Sequence, residues 1–227
     1  TPENINFMIK EGKGLLCMPI TLDTAQRLHL NPMVGNNTSL HETAFTVSVD
    51  ARDKTSTGIS AKDRWETIQV IINENSKPAD LARPGHMFPL IAKEGGVLQR
   101  AGHTEAAVDL AVLAECSPAA VLVEIVDDDG SMARLDRLKE ISKKYNLPLV
   151  SIADLINFRR HKVRLIDKLT TIPFPTKYGD FTLNLFEDKI HGDHHVALVK
   201  GKIDQENDTL VRVHSQCLTG DLFGSLR

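Results

Sequence analysis

Cysteine is scarce: the 227 residues hold three, Cys17, Cys116 and Cys217, odd in number and far apart. Such a set builds no disulfide framework and suits a reducing compartment. Aromatic residues make up only 5% of the chain, and neither sign of charge dominates, the net charge being -3. A polybasic nucleic-acid binder and a base-stacking module are both disfavoured by that balance. Long apolar runs are missing as well. None approaches the roughly 20 residues of a membrane-spanning helix, and no charged-then-apolar leader is visible, so the reading is no membrane, no nucleic acid and a cytoplasmic location. What remains, 41% hydrophobic and 25% charged residues, is the composition of an ordinary globular protein, long enough for one large α/β unit or two smaller ones.

Thr1-Pro2-Glu3 reads as a helix cap, a proline at the first helical position and an early acid, with Ile5, Met8 and Ile9 continuing at helical spacing towards Gly12. Gly14 to Ile20 reads as a buried strand and Thr43 to Val49 alternates as strands do. Ser60 is placed to cap a helix. Arg83-Pro84-Gly85-His86-Met87 reads as a turn, and residues 105–115, EAAVDLAVLAE, as a strong helix with His103 and Thr104 at its mouth. Ala119 to Val126 reads as a strand, 134–145 as a helix, 149–152 as a short strand, and a further helix runs to about Arg160. Beyond 162 the texture turns to strands alone, at 165–172, 180–186, 195–202 and 209–213. A domain boundary is therefore expected near residue 162.

Two constellations could carry chemistry. Arg100, Ala101, Gly102, His103 and Thr104 stand where a helix mouth exposes unpaired N–H groups, and Gly102 lets a ligand approach the backbone, so a phosphate could sit there; a plain capped loop is the bland alternative. His86, His103 and Glu124 could ligate a divalent cation or move protons if the fold brings them together, although a histidine bonded to backbone is the commoner case. Other features read as structural. Asp127-Asp128-Asp129-Gly130 lacks the periodicity of a calcium loop, His191, His194 and His195 read as a hairpin tip, and Cys17 and Cys116 as buried small hydrophobes. Near the end, Arg212-Val213-His214-Ser215-Gln216-Cys217 sets a soft metal ligand beside anion-binding groups.

The runs NNTS (36–39), TSTGISAKDR (55–64), RPGHMFPL (83–90), GGVLQRAGHTEAAVDLAVLA (95–114) and VEIVDDDGSMAR (123–134) together resemble 3,4-dihydroxy-2-butanone 4-phosphate synthase. The tail, HHVALVKGKI and VRVHSQCLTGDLFGSLR, resembles the opening of GTP cyclohydrolase II, as in the bifunctional riboflavin-pathway proteins. The resemblance implies an α+β synthase domain over 1–162, a mixed sheet flanked by helices, followed over 163–227 by the incomplete β-rich start of a cyclohydrolase domain. It implies a lyase that converts D-ribulose 5-phosphate to 3,4-dihydroxy-2-butanone 4-phosphate and formate with Mg2+ or Mn2+. In that light His86 and Glu124 are catalytic, Arg100, Ala101, Gly102, His103, Thr104 and Glu124 bind substrate, and His103 ligates the metal. Arg212, Val213, His214, Ser215 and Gln216 match the GTP-contacting run, with Gln216 in place of the usual glutamate, and Cys217 matches the first Zn2+ ligand. A homodimer with its active site completed across the interface is implied too.

The departure from the family pattern is an absence. An acidic run of the type DDENRENEGD, which supplies further metal and substrate contacts in this family, does not occur in these residues. Together with the opening Thr1 and the closing Arg227, this leads to the expectation that the chain is an internal piece of a longer protein and turns over its substrate poorly by itself. The longer protein would lie in the cytoplasm, or in an organellar stroma if it carries a transit peptide. The rival expectation is a non-catalytic sugar-phosphate-binding or scaffolding homologue.

Overall fold

The computed structural model describes residues 1–162, 165–204 and 208–225. Its contacts divide the chain into two compact units, residues 1–165 with 189–191, and residues 166–188 with 192–227.

In the first unit the chain opens with helix α1 (Pro2–Phe7), where Thr1 Oγ1 accepts the Asn4 N–H at 3.3 Å, and continues through a π-helical turn, Met8–Gly12. Strand β1 (Cys17–Ile20) and helix α2 (Leu22–Arg27) follow, then strand β2 (Val49–Ala51) and helix α3 (Ala61–Ile72). Ser60 caps α3 as expected, its Oγ accepting the Asp63 N–H at 3.0 Å. Strand β3 (Leu81–Ile91) is the centre of a mixed sheet, parallel to β1 and antiparallel to β2. Helices α4 (His103–Leu113), α5 (Leu135–Tyr145) and α6 (Ile152–Lys162) complete the unit. The α+β reading, a mixed sheet flanked by helices, holds.

The core lies on one face of that sheet. Leu16, Met18 and Ile20 alternate inward along β1 and meet Met87, Val49, Leu28, Ile68 and Ile71. Each such side chain is worth about 1.5–3 kcal/mol when fully buried. Because strand side chains alternate, Leu15, Cys17, His86 and Phe88 fall on the opposite face. A smaller cluster of Val97, Ala106 and Leu155 joins α4 to α6.

Several sequence expectations are corrected. The Arg83–Met87 turn is a bulge inside β3: opposite β2 the register jumps from Met87, facing Val49, to Ala82, facing Asp50, and the Arg83–Pro84 bond is cis. Proline and glycine, read as turn formers, here serve a strand irregularity. The 43–49 strand shrinks to 49–51, with single bridges at Thr46 and Phe45. Residues 119–126 run along β1 through bridges at Ala119, Leu122 and Ile125 without forming a named strand. Residues 149–151 form no strand, and Cys116 is exposed.

The second unit is an antiparallel meander of β4 (Ile166–Thr176), β5 (Gly179–Asp188) and β6 (His194–Val199). The expected strand at 209–213 is absent: those residues are exposed and carry no ladder, because no neighbouring chain pairs with them among the described residues. A π-helical turn, Leu218–Leu222, follows Cys217.

Candidate active site

The face of the sheet turned away from the core carries the candidate catalytic side chains. Residues 119–126 pair antiparallel with β1, Cys17 opposite Leu122, while β3 pairs on the other side, Cys17 opposite Phe88. His86 lies on β3 two residues before Phe88, and Glu124 lies on the segment that pairs with the other side of β1, where its carbonyl accepts the Gly14 N–H at 3.2 Å. The pairing slips by one residue between Cys17, opposite Leu122, and Lys13, opposite Ile125. Ala119, Val121 and Val123 pack on the core, so Glu124 faces away from it. Its carboxylate turns back to accept the Leu15 N–H at 2.9 Å, and a Cβ on Gly14 would stand 2.6 Å from Glu124 Oε2. Glycine at 14 is what lets Glu124 lie there.

His86 leaves the bulge half-exposed. The bulge needs Gly85, because a Cβ there would overlap the Val49–Asp50 peptide. His86 N–H donates to Asp50 Oδ1 at 2.8 Å, and its Nδ1 lies 2.7 Å from Asp50 Oδ2. Over this pair folds the TSTGIS loop, held by buried Asp63, which accepts the Ser56 N–H and hydroxyl and the Gly58 N–H. Those bonds, the Ser56 hydroxyl first, hold the Asp63 carboxyl below the usual carboxylate range. Cys17, in the same sheet, has its thiol pushed up to about 12 by burial and by the charge of Glu124, so it is an inert hydrophobe.

The Arg100–Thr104 run forms the mouth of α4. Gly102 is the N-cap and supplies no side-chain acceptor, so no N-cap side chain takes up the first N–H groups of the helix among the described residues. Thr104 is buried and His103 exposed. The Arg100 guanidinium donates from Nη1 to Glu105 Oε2 at 2.7 Å and from Nη2 to the His41 carbonyl at 2.9 Å. Glu105, 1% exposed, also accepts the Lys93 N–H through Oε1. Gly102 lies under this pair: a Cβ there would stand 2.5 Å from Arg100 Nη1 and 2.7 Å from Glu105 Oε2, so the two side chains would have to shift.

His86 and Glu124 thus lie on the two segments that flank β1, and no hydrogen bond or ion pair among the described residues joins His103 to either. Two shallow clefts, about 310 and 330 Å3, lie elsewhere, one beside Asp109 and Arg159 and the other beside Lys13 and Arg137, and neither contains the three. Asp50, Asp63 and Glu105 were not singled out from the sequence. The available signal was weak: an acid on the polar phase of a strand, and two acids in first turns of helices, where acids are common anyway.

In the second unit Arg212 to Gln216 are exposed and lie in neither helix nor strand. His214 Nε2 lies 2.9 Å from Asp221 Oδ2, and the Cys217 N–H donates to that same oxygen at 2.8 Å. Cys217 Sγ accepts the Gly220 N–H at 3.4 Å and lies beside the Thr219 hydroxyl. The Thr219 contact, then the Gly220 N–H, hold the thiol below its ordinary value. Among the described residues, neither His103 nor Cys217 belongs to a group of three metal donors within ligand reach of one another.

The sequence model of 3,4-dihydroxy-2-butanone 4-phosphate synthase matches residues 1–158. The chain belongs to that family. The GTP cyclohydrolase II model matches residues 167–227. The Riboflavin biosynthesis protein RibBA of Bacillus mycoides (strain KBAB4) is 54% identical over 227 residues, covering all of this chain and 57% of that protein. Its namesake in Cytophaga hutchinsonii is 54% identical over 228 residues, with 56% of that protein covered. The chain therefore spans little more than half the length of these relatives. Among solved structures, RibBX, a two-domain synthase from A. baumannii, superposes with a TM-score of 0.82 at 41% identity, over 97% of this chain and 65% of that one. A synthase in complex with two magnesium ions gives 0.68 at 39% identity, over 71% and 81%. No helix among the described residues of this synthase-family chain is long and apolar enough to cross a membrane.

Proposed function

We propose that residues 1–162 are a 3,4-dihydroxy-2-butanone 4-phosphate synthase domain and that 163–227 belong to a GTP cyclohydrolase II domain, within a bifunctional riboflavin-biosynthesis enzyme of the cytoplasm. The observation that carries this reading is the family match over 1–158, whose motifs fall on the sheet and helix mouth described above. The substrate is D-ribulose 5-phosphate. Its phosphate lies at the mouth of α4, where the uncapped N–H groups and the positive end of the helix dipole favour an anion and Gly102 permits close approach. Arg100 stands beside it, held by Glu105. His86 and Glu124, on the two segments that flank β1, accept and return protons as the sugar enolises, loses water, rearranges and releases formate.

His103, exposed and without a side-chain hydrogen bond among the described residues, is free to give one nitrogen to Mg2+ or Mn2+. That donor suits Mn2+ and is tolerated by Mg2+, both of which take oxygen for most of their remaining positions. Such a cation supplies polarisation of the carbonyl and neighbouring hydroxyl oxygens. Cys217, its thiol already eased towards thiolate, is one Zn2+ ligand, and Arg212 to Gln216 contact GTP. The protein works as a homodimer, consistent with exposed Leu110, Val112 and Leu113 along α4. The test is metal-dependent formate release from ribulose 5-phosphate by the protein that contains this chain. His103→Ala should abolish it; turnover near wild type in that variant would remove His103 from the metal site, and no turnover by the wild-type protein would remove the synthase reading.

A further inference from the structure

Among the described residues, His86 is gripped from one side only, by Asp50. Asp50 engages it twice, Oδ1 taking the backbone N–H at 2.8 Å and Oδ2 lying 2.7 Å from Nδ1, and the two side chains are 13% and 44% exposed. The Nδ1 edge of the ring is therefore turned into the protein, and the Nε2 edge carries the exposure. The grip is itself enclosed. Gly58 sits against it at φ +83, a backbone conformation that favours glycine, and a Cβ there would overlap Asp50 Oδ2 and stand 2.7 Å from His86 Nδ1. Buried Asp63 pins Gly58 in place, and the Asp50 charge also acts on Arg64 of α3.

An ionised carboxylate accepts hydrogen bonds and donates none. A neutral imidazole beside Asp50 Oδ2 must then carry its proton on Nδ1, leaving the Nε2 lone pair bare on the open face of the sheet. We propose that Asp50 is a positioning residue that fixes both the orientation and the Nδ1–H tautomer of His86, so that Nε2 is the atom that takes a proton from substrate. This rests on the reading of His86 as a proton carrier in the synthase domain. A merely structural pair would hold the ring without making turnover depend on the tautomer.

Asparagine separates the two roles. It is nearly the same shape, yet its one oxygen cannot serve both the His86 N–H and Nδ1–H, and its amide would donate to Nδ1 and drive the proton to Nε2. The experiment is 15N NMR of histidine-labelled chain above pH 8, with the His86 signals identified by their loss in His86→Gln, alongside kcat and KM of the protein that contains the chain. Wild type is expected to show protonated Nδ1 and bare Nε2, and Asp50→Asn the reverse. In that variant kcat should fall by about 10²–10⁴-fold with KM within about threefold. Asp50→Glu, which keeps an anionic acceptor, should retain the wild-type tautomer. The proposal is overturned by an Nε2–H tautomer in wild type, by an unchanged tautomer in Asp50→Asn, or by unchanged kcat in that variant. If Asp50→Asn fails to fold, the tautomers of wild type and Asp50→Glu decide, and Nε2–H in both overturns it. Absence of wild-type turnover would sink the synthase reading while leaving the NMR result to judge the positioning.

Discussion

Glu105 is the most consequential buried charge near the helix mouth, and replacing it with alanine makes a quantitative prediction. Its side chain is 1% exposed, while that of its partner Arg100 is 25% exposed. Removing one member of a buried ion pair costs about 3–5 kcal/mol, because the survivor is left desolvated. Arg100 can regain some water, which puts the cost at the low end, about 3 kcal/mol. The Lys93 N–H also loses its acceptor, adding about 1 kcal/mol. At about 2–4 °C per kcal/mol for a domain of this size, Glu105→Ala should lower the melting temperature by about 8–16 °C. Glu105→Gln keeps the shape and one acceptor but turns an amide donor towards another donor, so it should cost about half as much. Trp65, the only tryptophan of the chain, packs from α3 against the core of the first unit, so its fluorescence follows the unit in question. A Glu105→Ala loss below about 1 kcal/mol would refute the reasoning, since it would mean that the carboxylate is hydrated in solution.

Gly85→Ala should destabilise the first unit by more than about 2 kcal/mol, because the added Cβ meets the Val49–Asp50 backbone and backbone cannot swing aside; a urea midpoint equal to wild type would contradict this. Thiol labelling at pH 8 should modify exposed Cys217 first, then exposed Cys116, and Cys17 only on unfolding, because Cys17 is buried with its thiol pushed up to about 12. Mass spectrometry showing early Cys17 modification would contradict that order. Asp63 titrates lower in the folded chain than in the unfolded one, so its contribution is complete above the unfolded pKa of about 3.9 and fades as pH falls through the folded value. The stability gap between wild type and Asp63→Asn should therefore be constant near neutrality and shrink below about pH 4. A gap independent of pH would show that the Ser56 and Gly58 bonds do not need the charge.

Local signals were legible wherever a residue acts on its immediate neighbours. Thr1 and Ser60 cap helices as their positions predict, because capping joins a side chain to an N–H three residues on. The mouth of α4 was legible for the same reason, glycine before a strong helix former. Arg83–Met87 was misread because proline and glycine have the same local chemistry in a turn and in a bulge. Only the partner strand, which skips from Met87 to Ala82, distinguishes them. Residues 209–213 were misread for the opposite reason: an apolar alternation becomes a strand only when another chain segment supplies the ladder.

By itself, then, the sequence determined the α+β class, most helix starts, the family, and which residues are ionisable or stand at a helix mouth. Tertiary structure decided which of those residues meet. His86 and Glu124 are 38 positions apart and come to one sheet only because β3 and residues 119–126 flank the same strand. Asp50, an unremarked acid in the sequence, becomes the partner of His86 because the bulge carries the ring to it, and Glu105 becomes the anchor of Arg100 because both are shut away from water. Composition and periodicity are sums over neighbours in the chain, whereas a site is a set of neighbours in space. The paucity of cysteine, aromatics and net charge disfavours whole classes of function, but which side chains meet is decided by the fold.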